Sequence, residues 1–259
     1  MSRWARRSLA ASRETRVIGD YNDEIRLLET YIRAQGDGAS PLQILEAGCG
    51  REWYFTLDGF SYELTGLDLD PSALEARRAI KGDMTRSFVG DVRTADLPEG
   101  HFDVIYNAFV LEHVEGAEQA LLNFVKWLKP GGILIVRVPD RHSVQGFLAR
   151  WTPHWFHILY YRWAWKLKDA GKPGFAPYPT IYDPVVSQEG LEQFCMRHGL
   201  KIVEMLGVGT FRRGFGMAGK ITPIVARTIS LLSFGQVHDR FVDLTIVARK
   251  QAVGPRLSS

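Results

Sequence analysis

An apolar run at 42–45, the pentad Glu46-Ala47-Gly48-Cys49-Gly50 directly after it, and an acid, Asp68, about twenty residues further on constrain this chain more than any other feature. A buried run that breaks into a glycine-rich turn is a strand ending where the backbone must bend sharply or come close to something. Gly48 and Gly50 carry no Cβ, so a ligand can approach the main chain there. Asp68 closes a second run at 63–67, and a carboxylate at a strand end can accept both hydroxyls of a ribose. The spacing predicts a strand-helix-strand unit built round a nucleotide-type cofactor.

What the turn lacks narrows the cofactor. A dinucleotide fingerprint places a third glycine three residues after Gly50, where Trp53 stands, and no helix start suited to a pyrophosphate is evident. Glu46 would repel a phosphate but attracts the ammonium of an amino-acid moiety. A cationic, phosphate-free nucleoside is the better fit.

Together these segments resemble the Rossmann-like S-adenosylmethionine-dependent methyltransferases of small-molecule type. Four more segments extend the resemblance in the family's order: Asp68-Leu69-Asp70-Pro71, Val89-Gly90-Asp91-Val92, the stretch Phe102-Asp103-Val104-Ile105-Tyr106-Asn107 running on to Leu111-Glu112-His113-Val114, and Leu128-Lys129-Pro130-Gly131-Gly132 before an apolar strand. The resemblance covers about residues 42–140. It implies an α/β fold: a seven-stranded, mostly parallel sheet with helices on both faces. It implies S-adenosyl-L-methionine as cofactor, with Glu46 toward the methionine amino group, Gly48, Cys49 and Gly50 in the close turn, Asp68 on the ribose and Leu69 against the adenine. Asp91 and Val92 then fall at the adenine edge and Asn107 beside the sulfonium. One departure stands out: the family often has another glycine where this chain has Glu52, followed by Trp53-Tyr54-Phe55. Those aromatics either widen the loop or shape the pocket.

Periodicity places the remaining elements. Helices are expected at 20–34, 73–80, 115–128 and 188–198, and strands at 43–46, 63–67, 88–89, 103–107, 133–138, 201–206 and 241–248. From 141 to 186 the pattern changes: aromatics crowd 151–161 and Gly171, Pro173, Gly174, Pro177 and Pro179 break it up. This reads as an inserted aromatic-rich substrate lobe after the fifth strand, in a single domain at 20–259. Aromatics at helical spacing there are read first as core packing. Residues 1–19 read as a flexible basic tail, with no apolar run of the kind a secretory signal needs.

Composition excludes more than it selects. A net charge of +3 with scattered basic residues speaks against a nucleic-acid partner, and two distant cysteines, Cys49 and Cys195, against a disulfide framework. No metal is expected: the Leu111-Glu112-His113 run resembles one in quinone-biosynthesis O-methyltransferases, but Phe109 stands where those carry another glutamate. The apolar stretch at 221–234 is too short and too broken by Pro223 and Arg227 to span a bilayer, so a cytoplasmic protein is expected. Peripheral membrane contact through 212–236 stays open beside a packed helix with solvated basic residues.

Methyl transfer to an oxygen of high pKa needs a general base. His142, after the fifth strand, is the first candidate and His113, after the fourth, the second. The reading is methyl transfer to a small-molecule acceptor, most simply O-methylation of a lipid, a quinone precursor or a saccharide that stacks on the aromatic lobe. The alternative is a catalytically silent protein that binds the same cofactor as a regulatory or partner subunit. The oligomeric state is not legible.

Overall fold

Along β6 (Leu128–Pro139) the side chains alternate between two hydrophobic clusters: Ile133 and Ile135 join one, Leu134, Val136 and Val138 the other. Both faces of this strand are buried, as a sheet sandwiched between helical layers requires. The computed structural model describes residues 15–164, 166–172, 177–181, 183–209, 217–234 and 236–252. Residues 1–14 of the expected tail and the basic and aromatic residues Phe211, Arg212, Arg213 and Phe215 lie outside the described residues.

Eight strands form one sheet in the order β1-β7-β8-β6-β5-β2-β3-β4. They are β1 (Arg16–Ile18), β2 (Leu42–Ala47), β3 (Tyr62–Asp68), β4 (Arg86–Val89), β5 (Phe102–Ala108), β6, β7 (Leu200–Val208) and β8 (Asp243–Lys250). Every neighbouring pair is parallel except the two made by β8. The carboxyl ends of seven strands and the start of β8 therefore share one edge, where open α/β sheets gather ligands.

Helices α3 (Ala117–Trp127) and α6 (Gln188–Arg197) cover one face through Leu121, Phe124, Trp127, Leu191 and Phe194. On the other face α1 (Tyr21–Arg33) lays down Leu28 and Ile32, one turn apart and fully buried. Its cap, Asp20, accepts the Asn22 N–H at 2.7 Å. Helix α2 (Pro71–Ile80) starts with Pro71 in the first turn and Asp70 as cap.

Four expectations are corrected. The sheet has eight strands, not seven, because Arg16–Ile18, assigned to the tail, pair in parallel with β7 and bury Ile18. Three residues are too few to show a period in sequence. Second, no helix joins β2 to β3. Buried Phe55 and Leu57 alternate with exposed Tyr54 and Thr56, a period of two that keeps this crossover extended. Its backbone is satisfied from α1: Glu29 accepts the Thr56 N–H at 2.6 Å, and Arg33 donates to the Thr56 and Asp58 carbonyls at 2.9 and 3.0 Å.

The third concerns Trp53 and Phe55, which pack against the hydrophobic cluster on the α1 face of the sheet. They pack edge-to-face with each other at 4.9 Å, and Phe55 does so with Tyr106 at 4.8 Å. Fourth, the aromatics of the lobe do not enter the core. The lobe folds as α4 (Val144–Trp151) and α5 (His154–Ala164), and Trp151, Trp155, Phe156 and Trp163 stay exposed. Helix α7 (Met217–Leu232) packs on α4 through Ala226 against Val144.

Candidate functional site

The turn after β2 is held from three sides. Gly48 and Cys49 donate their N–H groups to the Leu67 carbonyl at 2.7 and 3.2 Å, and Gly50 donates to Asp68 Oδ2 at 2.7 Å. Asp68 Oδ1 accepts the Asp70 N–H at 2.9 Å. The two glycines differ in what they leave room for. Both have positive φ, but a Cβ on Gly48 would meet Val110 Cγ2 at 2.2 Å, whereas a Cβ on Gly50 would meet nothing within 4 Å. Gly48 thus serves the packing of the turn on the chain after β5, and Gly50 borders open space. The Cys49 thiol is buried in contact range of Gly66, and burial pushes it up to about 12, so it is an inert packing group.

Glu46 is buried beneath this turn and ion-paired with Arg77 at 2.7 Å. Burial pushes its carboxyl up to about 8 against the pull of Arg77. Arg77, fully buried on α2, also reaches Asp83 through two nitrogens at 3.1 Å and donates to the Cys49 carbonyl at 2.9 Å. This guanidinium binds the turn to α2. Nothing in the sequence distinguished it from its neighbour Arg78, because its partners come from separate elements.

At the ends of β3 and β4, Leu69 stands 70% exposed, an apolar side chain offered at the ligand-bearing edge. Asp91 is engaged by Arg93, whose Nε lies 3.0 Å from Oδ1, and this neighbour holds the carboxyl below its ordinary range. The Val92 side chain belongs to the core. At the segment expected to meet the adenine edge, the Asp91 carboxylate is thus partly engaged but still partly exposed, and the Val92 side chain is turned inward.

Asn107 ends β5 fully buried. Its Nδ2 donates to the Ala47 carbonyl at 2.8 Å, joining the ends of β5 and β2, and its Oδ1 has no hydrogen-bond partner among the described residues. Phe109 follows at φ 57, a left-handed conformation costly for an aromatic residue. Its N–H donates to the Arg137 carbonyl at 2.9 Å, and the Arg137 guanidinium lies 5.0 Å from its ring centroid. Arg137 extends the row of Ile133 and Ile135 toward α1, where a charge needs an answer. Glu24 provides it at 2.6 Å, and the Tyr106 hydroxyl accepts a further bond at 2.8 Å.

The two expected histidines are placed differently. His113 sits on a 3-10 turn (Leu111–His113) with Nδ1 at 2.7 Å from the Pro179 carbonyl, which assigns the proton to Nδ1 and the lone pair to Nε2. Burial holds the imidazole below its ordinary range, so it is neutral at pH 7. His142 is exposed, and among the described residues nothing orients its ring. Its backbone is fixed instead, the N–H donating to Asp140 Oδ1 at 3.1 Å and the carbonyl accepting from the His238 N–H at 2.9 Å. The imidazole beside it that does have a carboxylate partner is His238, whose Nε2 lies 2.7 Å from Asp140 Oδ2.

Glu112 also escaped sequence reasoning. It is 3% exposed, its Oε2 has no hydrogen-bond partner among the described residues, and desolvation pushes the carboxyl up to about 8. A cavity of about 330 Å³ lined by Arg150, Thr152, His154, His157 and Pro179 opens in the lobe, and Pro179 connects it to His113.

These features fit a nucleoside that carries an amino-acid arm. The space at Gly50, the unpartnered Asn107 Oδ1, the exposed Leu69 and the Asp68 carboxylate are four kinds of surface that such a ligand needs, set along one sheet edge. Residues 45–136 match the family of the Methyltransferase domain. Phosphoethanolamine N-methyltransferase 1 of Arabidopsis thaliana is 30% identical over 99 residues, which are 36% of this chain and 20% of that one. The ubiquinone biosynthesis O-methyltransferase of Rickettsia conorii is 28% identical over 141 residues, 49% of this chain and 47% of that one. The chain thus spans less than half the length of these relatives. A solved S-adenosylmethionine-dependent methyltransferase from Mesorhizobium loti shares the fold, with a TM-score of 0.51 at 18% identity over 85% of this chain and 96% of that one.

Proposed function

The chain belongs to the Rossmann-like S-adenosylmethionine-dependent methyltransferases, and from that premise we propose that it transfers a methyl group to an oxygen of a small-molecule acceptor. The bound cofactor supplies a methyl group on a positively charged sulfur, a leaving group that needs no further activation. The chain's own residues then have to hold, orient and exclude water. Asp68 would take the ribose hydroxyls with the lone pairs left after Gly50 and Asp70 are bonded. Leu69 would cover the adenine, the segment at Asp91 and Val92 would meet its edge, and the turn at Gly48 to Gly50 with Asn107 Oδ1 would face the amino-acid arm. We assign Glu46 a supporting role behind that arm, because its carboxyl is paired with Arg77, which binds the turn to α2.

The observation that carries the oxygen chemistry is His113. Its proton is committed to the Pro179 carbonyl, so a neutral Nε2 is ready to accept the proton of an acceptor hydroxyl. The relatives bear names for reactions at oxygen and at nitrogen, and Nε2 would take the proton of an ammonium acceptor as well as that of a hydroxyl, so the methylated atom is read from the product. His142 is the second candidate; with no ring partner among the described residues, it would act from the exposed side. A lipid, a quinone precursor or a saccharide suits the aromatic surface of the lobe.

The test is transfer of a labelled methyl group from S-adenosylmethionine to panels of phenols, saccharides and lipid extracts, with wild type and His113→Asn side by side. Product methylated at oxygen, reduced on the order of a hundredfold in kcat for His113→Asn, is expected. Cofactor binding without turnover on any panel would mark the silent binding protein instead, and product methylated only at nitrogen would overturn the oxygen reading.

A further inference from the structure

Helix α5 is built inside out. Its inward side carries His154, His157, Ile158 and Tyr161, with His157 Nε2 at 2.6 Å from the Thr152 hydroxyl, while Trp155, Leu159 and Trp163 recur every fourth residue on the outside. These three are 62%, 54% and 80% exposed, Phe156 and Tyr160 flank them, and no described side chain of the helix is buried. Trp151 precedes the stripe and lies tilted against Phe147, which packs toward α7, where Leu231, Leu232 and Phe234 are exposed in turn. An apolar face of this extent on an otherwise ordinary surface has a partner.

The charge around it selects the partner. Between Arg141 and Tyr182 the sequence holds six lysines and arginines and a single acid, Asp169, a net +5. The whole chain is only +3, so the remainder carries −2. Positive charge is therefore concentrated on the segment that exposes the tryptophans, with Arg162, Lys166 and Lys168 all exposed. Outward tryptophan and tyrosine interleaved with arginine and lysine is the pattern of a headgroup region, where amphipathic rings and long cationic side chains each find their depth. Among the described residues no helix is long and apolar enough to cross a membrane, so contact is in the interfacial plane.

We propose that the α4–α5 lobe, flanked by the end of α7, docks this protein on the surface of a bilayer that contains anionic lipid. The inference stands apart from methyl transfer, because docking requires no cofactor.

Flotation of the full chain with phosphatidylcholine vesicles, and with vesicles of equal phosphatidylcholine and phosphatidylglycerol, tests it. The protein floats with the anionic vesicles, on the order of tenfold more than with the neutral ones, and its tryptophan emission shifts to the blue. The double variant Trp155→Ser with Trp163→Ser loses this binding and keeps its affinity for S-adenosylhomocysteine, since both side chains are surface-exposed. A second double variant, Lys166→Glu with Lys168→Glu, loses the preference for anionic lipid. Absence of flotation with either vesicle, flotation unchanged in the tryptophan variant, or a lipid-free dimer that the tryptophan variant abolishes would each overturn the proposal.

Discussion

Asp68 Oδ2 accepts the backbone N–H of Gly50 at 2.7 Å, so the carboxylate at the end of β3 shapes the turn at the end of β2. The acid assigned to the ribose is thus also a strut of the cofactor turn. Asp68→Ala should weaken S-adenosylhomocysteine by about a hundredfold or more, because ligand bonds and turn geometry are lost together. Asp68→Asn, which keeps one acceptor oxygen, should fall between wild type and Ala. Calorimetry on the three proteins checks the order; equal affinities would detach Asp68 from the site.

The two glycines of the turn should separate stability from binding. Gly48→Ala forces a Cβ to 2.2 Å from Val110 at φ +74, for a destabilisation of about 3 kcal/mol. Gly50→Ala carries only the cost of its positive φ, about 1 kcal/mol, yet sets a methyl group in the space reserved for the ligand. Urea denaturation beside ligand titration reads both quantities. A Gly50→Ala protein that binds S-adenosylhomocysteine as wild type does would show that the open space is not the ligand's.

Glu24 and Arg137, both buried, join α1 to the middle of the sheet at 2.6 Å. Glu24→Ala leaves the guanidinium buried with the Tyr106 hydroxyl and should cost about 3–5 kcal/mol. Thr245, whose hydroxyl donates to the other Glu24 oxygen, would lose its partner as well. A loss below about 1 kcal/mol in equilibrium unfolding would mean that water or rearrangement replaces the carboxylate.

Glu112 should give stability an unusual slope with pH. Its carboxyl is raised from 4.5 to about 8 in the fold, so between those values the folded state keeps a proton that the unfolded chain has released. Folding then takes up a proton, and stability, full below about 4.5, falls as pH rises toward 8 by up to about 1.4 kcal/mol per unit. Glu112→Gln, which mimics the protonated form, should flatten that slope and stabilise the protein at pH 8. Parallel slopes for the two proteins would place Glu112 among ordinary ionised carboxylates.

How far the sequence revealed this structure follows from the range of each interaction. The strands from 42, 102 and 133 announce themselves because apolar residues dominate each short run, and the turn because glycine at positive φ leaves a local signature. The caps Asp20 and Ser187 are equally local. What stayed hidden is held across the fold. Arg77 becomes central only when α2 lies beneath Glu46 and Cys49, and His238 meets Asp140 only after α7 has returned the chain to the sheet edge. Position along the sheet singled out His142, but orientation by a partner, which position does not encode, distinguishes His113 and His238. The crossover after Gly50 shows the same limit: the spacing to Asp68 predicts a helix, whereas the alternation of Phe55 and Leu57 keeps the chain extended.

The central claim is that this sheet edge binds a phosphate-free sulfonium nucleoside. Calorimetric titration of the purified protein with S-adenosylhomocysteine, with NAD titrated in parallel, tests it most directly. One site of micromolar affinity for S-adenosylhomocysteine and no heat from NAD is the predicted result; binding of NAD alone would contradict the account.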